Sequence, residues 1–150
     1  MVGAQPRAAL FAVLASAFLL VAGACSGSGE PAGPTTTPAS PASGEITVLS
    51  FEWGFEPEAI VLQQGQEIRL TLNNEGKILH NFKVDNLKVD VIEEISSGGF
   101  SGDDGELFVG AGSDDVGLLR FVPLEAGEYE FYCTIGSHRQ LGMEGRLTVQ

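Results

Sequence analysis

Apolar side chains recur at every second position through much of the C-terminal two-thirds of this chain. In Glu67–Asn73, Ile68, Leu70 and Leu72 fall on one face. His80, Phe82 and Val84 do the same within His80–Asp85. After the turn Glu125-Ala126-Gly127, Tyr129, Phe131 and Cys133 share a face, while Glu128, Glu130 and Tyr132 point the other way. A period of two marks half-buried strands. Ile46–Phe51, Ile60–Leu62 and Leu118–Val122 have strand composition, and Leu147 and Val149 close the chain in the same style. Seven or so short strands broken by Gly-rich turns, with no long amphipathic helix, predict an all-β fold: an antiparallel or mixed β-sandwich with Greek-key connections.

One stretch breaks the alternation. Val89–Val116 contains Ser96-Ser97-Gly98-Gly99, Gly102-Asp103-Asp104-Gly105 and Gly110-Ala111-Gly112-Ser113-Asp114-Asp115. It reads as a long, acidic, mobile excursion with room for a short strand or helix. Asp103-Asp104-Gly105-Glu106 lacks the spacing of an EF-hand loop, so a solvated loop is expected rather than a calcium site.

The ends follow other rules. Met1–Ala24 carries Arg7 and then an apolar run, Leu10–Val21, that is short for a membrane span and ends in Ala22-Gly23-Ala24. This predicts an export signal, residues 1–24, removed during secretion. Small residues ahead of Cys25 resemble a bacterial lipoprotein cleavage box, with Cys25 becoming the lipidated N-terminus; an ordinary signal cut near Cys25 is the alternative. Ser26–Gly44 has no large apolar side chain and is rich in Ser, Gly, Pro and Thr. It predicts a solvated linker, so that residues 25–44 tether a domain spanning 45–150 to the outer face of the cytoplasmic membrane. That domain is long enough for one hydrophobic core.

The formal charge is −12, and one unit more negative once Arg7 leaves with the signal. This balance argues against nucleic acid and against peripheral binding to anionic lipid, leaving the lipid anchor as the expected membrane contact. With Cys25 acylated or lost, Cys133 is the remaining thiol of the two cysteines. An unpaired cysteine in an exported domain needs a reason, and a metal supplies one.

The residues around Cys133 support that reason. Cys133, His138 and Met143 are spaced Cys-x4-His-x4-Met, and the chain's other histidine, His80, lies upstream in Leu79-His80-Asn81-Phe82. Thiolate and thioether favour Cu(I), and imidazole suits both copper oxidation states. Two His, one Cys and a weak axial Met therefore fit a mononuclear copper that changes charge with little ligand movement. Singly, His80 reads as a hydrogen-bonded core histidine and Met143 as packing. Together, the two histidines and the one core thiol favour a metal. Zinc is poorly served by methionine, a Cys133–His nucleophile leaves Met143 without a role, and two histidines are too few for a trinuclear oxidase. No enzyme activity is expected.

The motifs extend beyond the ligands. Phe51-x-Trp53-x-Phe55-x-Pro57 is followed by an Ile-x-Leu-x-x-Gly-x-x-Ile-x-Leu-x-Leu-x-Asn pattern and by His80-Asn81-Phe82; then come Gly127–Cys133 and Met143–Val149. This series resembles the cupredoxins and covers nearly all of 45–150. The Cys-x4-His-x4-Met loop is similar to those of rusticyanins, auracyanins and sulfocyanins, and longer than those of plastocyanin and amicyanin. The resemblance implies copper ligation by His80, Cys133, His138 and Met143. It also implies a tie between Asn81 and the region of Thr134 that orients the ligands. The implied activity is one-electron transfer, with His138 near the surface as the port and Ile135, Leu141, Gly142 and Met143 forming an apolar docking patch. The expected partner is a basic redox protein such as a c-type cytochrome or an oxidase domain, met transiently by a monomer. Copper storage or delivery without a redox partner uses the same ligands and stays open.

Overall fold

The computed structural model describes residues 38–102 and 105–150. They form ten strands: β1 (Glu45–Phe51), β2 (Gly54–Glu56), β3 (Ala59–Leu62), β4 (Ile68–Asn74), β5 (His80–Val84), β6 (Val89–Ile95), β7 (Leu107–Ala111), β8 (Val116–Pro123), β9 (Gly127–Tyr132) and β10 (Glu144–Val149). Sheet I has the order β2-β1-β4-β8-β6 and sheet II the order β3-β10-β9-β5-β7. Parallel pairs join β1 to β4 and β3 to β10; the other pairings are antiparallel. This is the predicted mixed sandwich.

Alternation places the core between the sheets. Ile46 and Val48 of β1 and Ile68, Leu70 and Leu72 of β4 line the inner side of sheet I; Phe82, Val84, Phe131, Leu147 and Val149 line that of sheet II. Phe82 and Phe131 stack with centroids 4.8 Å apart, and Phe55 meets Phe131 edge-on at 5.4 Å. Such pairs add roughly 0.5–1.5 kcal/mol to the area they bury. Phe55 comes from β2, so this aromatic cluster joins the two sheets just below the end that carries Cys133.

Two expectations are corrected. The stretch Val89–Val116 is not an excursion, because it contributes β6 to sheet I and β7 to sheet II. A register shift between Val91 and Glu93 breaks the alternation of β6. All five residues of β7 are buried, so it shows no polar face. Gly110, which reads as a turn residue, is instead a site of close approach: an added Cβ would lie 2.3 Å from the Phe100 ring. The second correction concerns the linker, whose last residues belong to the domain. Ala39 bridges Ile60 in parallel, donating its N–H to Ala59 O at 3.0 Å and accepting from Val61 N at 2.9 Å. These bonds satisfy backbone groups on the outer edge of β3.

The predicted export signal 1–24, Cys25 and linker residues 26–37 lie outside the described residues, as do Asp103 and Asp104. Among the described residues, no helix is long and apolar enough to cross a membrane.

Candidate metal centre

The candidate ligands gather at one end of sheet II, for reasons of strand order. His80 is the first residue of β5, Cys133 follows the last residue of β9, and Met143 precedes the first residue of β10. Because β9 lies between β10 and β5, the sheet itself brings these positions together. The β5–β9 ladder runs through Val84↔Phe131 and Lys83↔Tyr132. Beyond it, the side chain of Asn81 takes over. Its Nδ2 donates to Thr134 Oγ1 at 2.8 Å, and its Oδ1 accepts from Thr134 N at 2.8 Å. Asn81 is 1% exposed, so these two bonds clasp the start of the ligand loop from inside.

The loop is short and turns twice. His138 precedes a single 3-10 turn, Arg139–Leu141, that stops at Gly142 with φ 103°. That left-handed geometry favours glycine. It reverses the chain so that Met143 N donates to His138 O at 3.0 Å while Met143 O accepts from Cys133 N at 3.1 Å. Met143 is thus held to both neighbouring candidates through its backbone, and its side chain is fully buried.

His80, Cys133 and His138 each offer a donor atom, and these atoms lie within 4.8 Å of one another. Cys133 Sγ is 3.5 Å from His138 Nδ1 and 4.0 Å from His80 Nδ1. Transition-metal bonds of roughly 2 Å to nitrogen and 2.3 Å to sulfur can be drawn to one ion across such gaps. All three residues are buried, which keeps competing water away. Burial pushes the Cys133 thiol up, opposed by hydrogen bonds from the backbone N–H groups of Asn81 and Ile135. A bound cation deprotonates such a thiol outright. Burial, and then the nearby His138, holds His80 below the usual histidine range, with Glu52 opposing. Neutral imidazole is the form that binds metal.

A further observation supports the fit. Among the described residues, His80 Nε2 is buried without a hydrogen-bond partner, whereas Nδ1 faces the sulfur. A Cβ on Gly76 would lie 3.0 Å from this Nε2, 3.1 Å from Asn74 Oδ1 and 3.3 Å from Glu52 Oε1. Gly76 therefore leaves space behind the ring where polar atoms converge, the kind of outer contact that orients a ligating histidine.

Two sequence expectations change here. His138 is only 7% exposed, and Met143 contributes no surface to a docking patch. The cover over His138 is Trp53, whose indole meets the imidazole edge-on with centroids 5.0 Å apart and planes at 86°. Trp53 sits between β1 and β2 with φ 70°, a left-handed backbone that costs an ordinary residue roughly 1–2 kcal/mol. In the sequence Trp53 has no role beyond its place in the Phe51-x-Trp53-x-Phe55-x-Pro57 pattern. Arg139 is turned aside: it pairs with Glu130 at 2.7 Å and Glu144 at 3.2 Å, and its guanidinium lies 4.1 Å from the Tyr132 ring centre.

Comparison with known proteins points to copper as the metal. The chain is similar to the copper-resistant cuproprotein CopI of Pseudomonas aeruginosa, 29% identical over 91% of this chain and 97% of that protein. It is also similar to the protein of the same name from Rubrivivax gelatinosus, 30% identical over 69% of this chain and 64% of the relative. In fold it resembles the dithionite-reduced auracyanin of the photosynthetic bacterium Roseiflexus castenholzii, with a TM-score of 0.55 and 20% identity, covering 73% of this chain and 99% of that one. The family model for copper binding proteins of the plastocyanin/azurin family matches residues 42–150, from just ahead of β1 to the last residue. The chain is a member of that copper-binding family.

Proposed function

We propose that the domain is a one-electron carrier built on a single type 1 copper that His80, Cys133, His138 and Met143 would hold. The observation that carries this reading is the enclosure of three donors of mixed softness around one point, fixed by a strand ladder and by the Asn81–Thr134 clasp. Copper supplies the redox change when bound. The protein contributes rigid donors, so that little has to move when the charge changes. Catalysis at Cys133 is disfavoured because the residue is only 1% exposed, which gives a substrate no open approach to its sulfur.

The setting of this activity is the outer face of the cytoplasmic membrane. The reading takes 1–24 as the export signal and Cys25 as the lipid attachment. The monomeric domain then exchanges electrons in brief encounters with a redox protein such as a c-type cytochrome or an oxidase domain. The acidic charge of the chain favours a basic partner, with a rate that falls as salt rises.

The second reading, copper storage or delivery, is favoured by one observation: both curated relatives carry a name that speaks of copper resistance. Absorption and EPR spectra of the copper-loaded full chain, recorded through a redox cycle, separate the two. Electron transfer predicts an intense visible thiolate-to-copper band that bleaches on reduction and returns on oxidation. A colourless complex that surrenders Cu(I) to an acceptor would favour delivery.

A further inference from the structure

Of the four candidate ligands, His80, Cys133 and Met143 are sealed, each at most 1% exposed. His138 has the little outer surface the group retains, and Trp53 stands edge-on against its ring. Trp53 is the chain's single tryptophan. One part of the indole meets the imidazole while the residue as a whole remains 45% exposed. Its backbone runs beside the ligand loop: the Trp53 carbonyl is the nearest atom a Cβ on Gly142 would meet, at 3.9 Å. A left-handed φ at a bulky residue persists where surrounding contacts hold it, and such positions cluster at functional sites.

Resting on the electron-transfer reading above, the geometry points to Trp53 as the electron port of this domain, the group through which electrons pass between His138 and a one-electron redox protein. The step moves one electron and makes or breaks no bond. The reduced partner loses the electron, the oxidised copper centre gains it, and the tryptophan ends as it began. Electronic coupling falls steeply with distance, so the favoured route is the conjugated group that touches both the ligand and the solvent. Trp53 is in that position. Its surroundings suit a brief contact: Leu141 on the ligand loop is 54% exposed, and Arg139, the loop's one cation, is occupied by Glu130 and Glu144. An aromatic anchor with an apolar margin is the usual centre of a small interface.

The test is electron self-exchange between reduced and oxidised copper-loaded full chain, measured by nuclear relaxation in mixtures of the two. W53L and W53F should keep the absorption and EPR signature of the parent. Exchange should fall by about tenfold or more in W53L, the scale on which a central aromatic anchor acts, and W53F should retain most of the rate. If W53L exchanges as fast as the parent, or faster, the indole is merely a cover and the inference is overturned. Should W53L fail to hold copper, L141E tests the same surface with the indole intact. Its carboxylate should slow exchange at low salt, and added salt should restore the rate; no slowing overturns the proposal. A parent centre that cannot be cycled between oxidation states would instead sink the electron-transfer reading itself.

Discussion

Sheet II frames every candidate ligand: His80 opens β5, Cys133 follows β9, Met143 precedes β10, and His138 lies in the loop between the last two. Sheet I has as many strands and carries none. What sheet I contributes is a wall and a cover: Ile68, Leu70 and Leu72 press on the core from one side, and the β1–β2 turn lays Trp53 against His138. The difference teaches that site geometry and stability are separable in this domain. Ligand geometry is written into one sheet, whereas the free energy of folding is drawn from both.

Three substitutions bear on that separation. Replacing Cys133→Ser should abolish the visible absorption band entirely while leaving a folded β-rich domain by circular dichroism. Retention of the band would place the sulfur outside the centre. In sheet I, Leu72→Ala should cost about 2–5 kcal/mol in denaturant unfolding, as buried leucine truncations do. The spectrum of the folded, copper-loaded protein should stay unchanged, and a clear shift in that spectrum would show that the far sheet shapes the ligands after all. Asn81→Ala removes both bonds to Thr134, for a loss of roughly 1–3 kcal/mol. Unlike the leucine change, it should also move the absorption and EPR parameters, because the clasp fixes where Cys133 enters the loop. An unaltered spectrum would make the clasp a matter of stability alone.

The regions legible from sequence share a physical trait. In β4 and β9 alternation survives intact, in β5 it fails only at the buried Asn81, and the ligand loop compresses three candidate donors into a short stretch. The chain there states its own periodicity and chemistry. β6 and β7 hide theirs for two different reasons. The register shift between Val91 and Glu93 throws the apolar positions of β6 out of phase. β7 has no solvent face to mark with polar residues, and the glycine that would signal a turn makes room for Phe100. Trp53 was illegible for a third reason: its meaning lies in a contact with His138, far along the chain, which no local pattern encodes. Asn81 stood between these cases. Resemblance to the cupredoxins points to a tie near Thr134, and two hydrogen bonds between Asn81 and Thr134 form it.

The bridge from Ala39 to Ile60 has a practical bearing on how this protein behaves in solution. It closes the one flank of sheet II where the Ala59 carbonyl and the Val61 amide would otherwise face outward. A fragment begun at Glu45 strips that guard and offers a bare strand margin to any neighbouring copy, the usual start of edge-to-edge aggregation. One begun at Pro38 keeps the margin shut, so of the two fragments the longer should be the one that stays dispersed in light scattering.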